Sequence, residues 1–410
     1  MKYLLRAVLI LFAWLAVYSI PRAAAIVEVP LPPWAVPEAG TPPPLRPSHW
    51  QDQALLLAGR PLPKSSPFYA VSRTPAFQKH AARMRAFWWQ VLRESVNQIG
   101  KWRDKNIPKN LDGRLVFYPL SGADYLNAYA FFPRASNYLF VALETPGDMP
   151  DLTRMDDHER EQGLIAIRRA VGSLATVNYM QSKVLRQELS NPYLPGTLPV
   201  FLMLAGVMGQ TVLDVKAVRM EDSGELSDCD FEPYSPTAVR DSTIMGPGPV
   251  RGLRMVLRDT GQAVSKTLVY LQIRLRDEAV TDRTSEGRYL RQLWNCNTIF
   301  KSAVYLLHND AYKDVRNFVL QRSDLVIQDD SGLPYASFAR GEWEEHLFGT
   351  YTRIPPLGGI PHPPQQPQLA RRYREQSEPL AFPYGYGVLQ GKDHSNLMLF
   401  VRRNARAALR

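Results

Sequence analysis

Three short apolar runs in this 410-residue chain each end in polar residues that can do chemistry. The run 115–120 holds Tyr118 and leads into Ser121 and Asp124. The run 138–143 is followed by Glu144, and the run 325–327 leads into Asp329 and Asp330. Lys301 and His308 stand seven residues apart in a helical pattern, so they share one helix face. Three chemistries are open to this set. Ser121 as nucleophile, His308 as base and Asp329 or Asp330 as orienter would make a hydrolase. His308, Asp329 and Asp330 around one ion would make a metal site. Tyr118, Ser121, Asp124 and Glu144, with Lys301 and Asp330, would make a binding rim for a polar ligand. Plain structural roles compete with all three. Ser121 and Asp124 resemble a helix cap, and Asp-Asp-Ser-Gly at 329–332 is ordinary turn chemistry.

The familiar catalytic signatures are missing: no G-x-S-x-G, S-x-x-K, H-E-x-x-H or phosphate-binding loop occurs. Asp156, Asp157, His158 and Glu159 look like metal ligands but open a helix, where acids belong. Gly246-Pro247-Gly248-Pro249 is a turn, because its prolines lack the amides that cradle phosphate. Tyr351, Tyr384 and Tyr386 suit packing better than sugar stacking. No cofactor is named by any motif.

The elements that must position these residues are legible from periodicity. Phe77, Ala81, Met84, Trp88, Val91, Ile99 and Trp102 mark an amphipathic helix. Strand, helix and strand over 115–143 form a βαβ unit, which makes its two strands parallel. Residues 156–189 read as a long helix bent near Gly172, and 198–208 as an apolar helix. The period then falls to two: strands at 211–220, 252–258 and 267–275, the last two joined by a turn at Asp259-Thr260-Gly261. Residues 285–307 return to a helical stripe of Tyr289, Leu293, Phe300, Val304 and Leu307. A helix at 315–320, a strand at 324–327 and a final strand at 397–401 come after it. The expected fold is α/β or α+β, with a mixed sheet built from the βαβ unit at 115–143, an antiparallel hairpin and meander over 211–276, and several long helices. In parallel sheets ligands bind outside the carboxyl ends of the strands, where Tyr118, Ser121, Asp124 and Glu144 fall.

Residues 1–25 read as a signal peptide: Lys2 and Arg6, an apolar run from 7 to 18, then Ala23-Ala24-Ala25. An uncleaved anchor is the alternative. Residues 26–75 read as a proline-rich linker or strap, since twelve of the 34 prolines fall between Pro21 and Pro67. The globular domain spans 76–403, as one body or as lobes 76–209 and 210–403, and 404–410 are a basic tail. Export would put Cys229 and Cys296 in a compartment that permits a disulfide. Removing Lys2, Arg6 and Arg22 lowers the net charge by three, from +10 to +7. That mild excess, with no basic stripe, argues against nucleic acid as a partner. Arg402, Arg403, Arg406 and Arg410 allow at most peripheral contact with anionic lipid or envelope polymer.

Several strings taken together resemble a group of uncharacterised exported bacterial proteins. They are residues 117–124 (Phe-Tyr-Pro-Leu-Ser-Gly-Ala-Asp), Leu143-Glu144 before Pro146-Gly147, and 300–308 with Lys301 and His308. Gln328-Asp329-Asp330-Ser331-Gly332-Leu333-Pro334 and Phe348-Gly349-Thr350-Tyr351 complete the set. The likeness covers most of 110–390, with Leu120 and Ala123 in place of an expected Phe and Pro. It implies export and no mechanism. The function expected from these residues is that of an exported envelope protein that binds a glycan, a peptide or a protein partner. A periplasmic hydrolase and an assembly factor are the alternatives.

Overall fold

The computed structural model describes residues 49–149, 151–175, 178, 188–190, 193–231, 250–303, 305–339, 341–352 and 364–407. The expected signal peptide, the first part of the expected linker, the 246–249 turn, Arg410 and most of 176–189 lie outside the described residues.

Ten strands form one mixed sheet. They are β1 (Val116–Pro119), β2 (Asn137–Ala142), β3 (Thr211–Met220), β4 (Leu226–Cys229), β5 (Arg251–Arg258), β6 (Ser265–Gln272), β7 (Cys296–Phe300), β8 (Ser323–Gln328), β9 (Trp343–Gly349) and β10 (Asn396–Arg402). Their order is β4-β3-β5-β6-β2-β1-β7-β8-β10-β9. The central five, β6-β2-β1-β7-β8, are mutually parallel. Their residues at β1, β7 and β8 are buried throughout, as strands covered on both faces must be. Antiparallel pairs close the sheet on each side. The βαβ unit and the hairpin stand as the sequence indicates.

The helices that bear on the site and its support are α1 (His49–Leu57), α2 (Pro75–Val91), α3 (Asn97–Asn106), α4 (Tyr125–Phe131), α5 (Asp157–Gly172), α6 (Leu198–Val207), α7 (Ser285–Leu290) and α8 (Lys313–Arg322). The buried stripe of α2 repeats every three or four residues: Phe77, His80, Ala81, Met84, Phe87, Trp88 and Val91. Between α2 and α3 the chain makes one π-turn, Leu92–Val96, where the Asn97 amide donates to the Leu92 carbonyl five residues back. Asp156 caps α5 through a reciprocal capping box with Glu159, so the acids at 156–159 serve the helix.

Three expectations are corrected here. Residues 285–307 are not one helix: α7 stops at Leu290, and Cys296–Phe300 is the buried central strand β7. Lys301 and His308 therefore do not share a helix face. The expected linker is folded from His49 onward, because α1 buries Ala54, Leu56 and Leu57 against α6. The two cross closely at Gly206, where a Cβ would stand 2.4 Å from the Ala54 carbonyl oxygen. Two lobes divided at 210 do not exist, since β1 and β2 lie between β6 and β7 in the same sheet. The same order explains why Cys229 and Cys296 are unbridged. They sit on β4 and β7, six strand positions apart, which at about 4.8 Å per strand far exceeds disulfide reach.

Candidate functional site

From β1 the chain crosses by α4 to β2 on one side. From β7 it crosses by α8 to β8 on the other side. Right-handed crossovers in opposite directions place their helices on opposite faces. Accordingly Phe318 of α8 packs on Phe117 of β1, whereas Tyr125 of α4 packs on Tyr138 and Phe140 of β2. The loops leaving β1 and β7 thus diverge, and the gap between them is the topological switch point where α/β sheets bind ligands.

One buried ion pair closes that gap. Lys301, just past β7, reaches Asp124, just past β1, at 2.8 Å, with side-chain exposures of 1% and 2%. Asp124 also accepts from the Tyr118 hydroxyl at 3.0 Å and from the Asn127 side-chain amide at 2.9 and 3.1 Å. Its Oδ1 caps α4 through the Asn127 amide at 3.3 Å. Lys301 donates as well to the Asn178 carbonyl. Burial pulls the Lys301 ammonium below its ordinary pKa although Asp124 opposes this.

Beside the pair, at the end of β8, lie two adjacent carboxyls to which no cation is hydrogen-bonded among the described residues. Asp329 is fully buried and accepts from the Ser302 amide at 3.1 Å, the Ser331 hydroxyl at 2.8 Å and the Tyr386 amide at 2.6 Å. Asp330 accepts from the Tyr305 hydroxyl and, at 2.8 Å, from Asn396 Nδ2. Burial, then the neighbouring charge of Asp330, raises Asp329 to about 7; burial raises Asp330 too. Gly385 makes the Tyr386 contact possible: its φ is +80°, and a Cβ there would stand 2.4 Å from the Asp329 Cβ. Strain gathers at this end. Among the described residues five non-glycines are left-handed, and four of them, Leu120, Asn178, Ser302 and Tyr305, belong to this network or its loops.

The sequence-chosen residues divide accordingly. Tyr118, Asp124, Lys301, Asp329 and Asp330 come together. Ser121 is not the cap of α4, a place that Asp124 takes; its hydroxyl donates to the Gly122 carbonyl at 3.0 Å. Glu144 sits one strand away, its backbone carbonyl accepting from the Tyr270 hydroxyl at 2.6 Å. His308 lies in the 3₁₀ turn Leu306–His308, edge-on to the Tyr305 ring at 5.4 Å. Burial, then Arg316, lowers its pKa to about 4, far from the near-neutral value that suits a general base. The Ser121 hydroxyl thus bonds within its own loop, and Asp329 bonds to Ser302, Ser331 and Tyr386, rather than to a catalytic triad. Among the described residues no group of three or more His, Cys, Asp or Glu side chains is placed to hold a metal ion, which removes the His308–Asp329–Asp330 ion site. The turn reading of Asp329 and Asp330 also changes: the turn is present, but its carboxyls are enclosed rather than solvated.

A cleft of about 520 Å³ opens at the same end of the sheet, past Gly349 of β9 and beside Ser395, which precedes β10. Glu94, Glu378, Lys392 and Asp393 line it, over a floor that includes Phe382 and Pro383. Lys392 pairs with Glu94 at 2.5 Å. The Pro383 carbonyl accepts from Asn178 Nδ2 at 2.9 Å, so the cleft wall and the buried network share a strut. Sequence reasoning missed Ser302, Asn178, Asn396 and all four charged cleft residues. The helix read across 285–307 hid Ser302, and the π-turn shifts Glu94 out of the regular helical phase. No family model, curated protein or solved structure matches the chain.

Proposed function

We propose that this chain is an exported binding protein that holds a polar envelope ligand, glycan or peptide, at the carboxyl end of its parallel strands. One observation carries the reading: the 520 Å³ cleft lies at the sheet end where the switch point and the strained, buried polar network also lie. Perturbed ionisable groups gather there too, as they do at functional sites. The hydrolase alternative has less support, because His308 is a weak base, the Ser121 hydroxyl bonds to Gly122, and Asp329 bonds to Ser302, Ser331 and Tyr386.

A thermal-unfolding screen of the full chain against oligosaccharides and muropeptides tests the proposal. A ligand at 100 times its dissociation constant adds about 2.7 kcal/mol. Ala381→Trp, which crowds the cleft from an exposed position, should abolish that gain. A panel with no stabilising member, or a stabilisation that Ala381→Trp leaves intact, overturns this reading.

A further inference from the structure

We propose that the cleft takes a ligand carrying a primary ammonium group, and that Lys392 occupies that group's place when the cleft is empty. This rests on the binding reading above and names the ligand's chemistry.

The chain as a whole has a net charge of +10, yet its cleft is lined by three carboxylates, Glu94, Glu378 and Asp393, against one cation, Lys392. From outside that lining Arg93 reaches Glu94 Oε1 at 3.1 Å, which leaves Oε2 for an ammonium. Glu94 projects from the π-turn, a helix irregularity that recurs at functional sites. Its seat already holds an ammonium: Lys392 Nζ lies 2.5 Å from Glu94 Oε2, across 298 residues of sequence.

Lys392 is fixed at its backbone and exposed along its side chain. Its carbonyl accepts from the Ser395 amide at 3.1 Å and from the Ser395 hydroxyl at 2.7 Å, so the backbone is tied to the start of β10. Its side chain is 56% exposed and Glu94 is 28% exposed, so the pair is wet. An exposed pair of this kind contributes about 0–1 kcal/mol. Exchange of one ammonium for another keeps the carboxylate paired and returns rotamer freedom to the lysine. The second carboxylate repeats the arrangement. Glu378 pairs with Lys105 at 3.0 Å, with exposures of 51% and 70%. Ser377, Thr350 and Ser395 place hydroxyl-bearing residues along the same wall, which suits a polyhydroxyl scaffold. An amino sugar combines both features.

Calorimetric titration of the full chain with the glucosamine trimer and the N-acetylglucosamine trimer isolates the ammonium on one scaffold. The amine form should bind at least tenfold more tightly. Glu94→Gln should remove that preference while leaving the acetylated trimer unaffected. Lys392→Gln should tighten the amine form about threefold by vacating the seat. Both positions are partly exposed, and unchanged urea midpoints will show that the variants fold. Equal binding of the two trimers overturns the ammonium assignment and leaves the polar-ligand reading standing. Loss of both ligands on Lys392→Gln also overturns it, because the lysine would then be a structural strut. Binding of neither trimer ends the assignment, and the saccharide and muropeptide screen then decides the broader reading alone.

Discussion

Two buried lysine–aspartate pairs stand at opposite ends of the same sheet, and they do different work. At the amino end of the parallel strands, Lys266 of β6 meets Asp259 at 3.3 Å, with exposures of 9% and 17%. It also donates to the carbonyls of Pro133 and Ala135, and Gln210 steadies Asp259 at 2.7 Å. Each lysine even lies 5.8 Å from a tyrosine ring, Tyr129 for Lys266 and Tyr384 for Lys301. The amino-end pair is a clamp that ties a hairpin turn to the βαβ unit, with water still at hand. At the carboxyl end Lys301 is enclosed, its charge is disfavoured by burial, and two further carboxyls lie close by, held by amides and hydroxyls. The same two residue types therefore give a compensated structural joint at one end and a strained polar site at the other.

The largest test of that contrast is Lys301→Met. It leaves Asp124 buried without its cation and should cost about 3–5 kcal/mol in urea unfolding. Next comes Gly385→Ala, which puts a Cβ into Asp329 at a φ of +80° and should cost about 2–3 kcal/mol. Gly261→Ala, in the amino-end hairpin at φ +77°, should cost only about 1 kcal/mol of backbone strain.

A further test is pH. Asp329 has a folded pKa near 7, above its ordinary 3.8, so the folded state binds more protons than the unfolded chain between those values. Its contribution to stability is full below pH 3.8 and is lost as pH rises to 7. Asp329→Asn should flatten the fall in stability across that window, read from urea midpoints at pH 4 and pH 8. Lys266→Met should cost less than Lys301→Met, because Asp259 is partly exposed and keeps its bond from Gln210. If the two lysine variants cost the same, the two ends are not different in kind.

Much of the architecture was legible from periodicity alone. The parallel pairing of β1 and β2 followed from element lengths, and the β5–β6 hairpin from its period of two around Asp259-Thr260-Gly261. The failure at 285–307 was physical. Cys296–Phe300 is buried on both faces, so it shows no alternation, and Leu293, Phe300 and Leu307 fall at helical spacing by coincidence. That one strand supplies half of the switch point. Its loss hid Ser302 and put Lys301 on the wrong element. The Lys301–Asp124 contact joins residues 177 apart, which no local pattern records. The cleft was illegible for a similar reason, since Glu94 and Lys392 meet only once β10 is in place.

The strand order also fixes a timetable. Val116 of β1 pairs with Tyr138 of β2 soon after both are made, but its partner on the other side is Asn297 of β7. At about 5–20 residues per second, a growing chain supplies that partner roughly 9 to 36 seconds later. Through that interval β1 presents an apolar, unpaired edge, the kind of surface that chaperones shield and that other chains join. The strand pair that frames the switch point thus closes only after β3 to β6 have been made, and folding should be slow for a protein of this size, limited by that distant pairing.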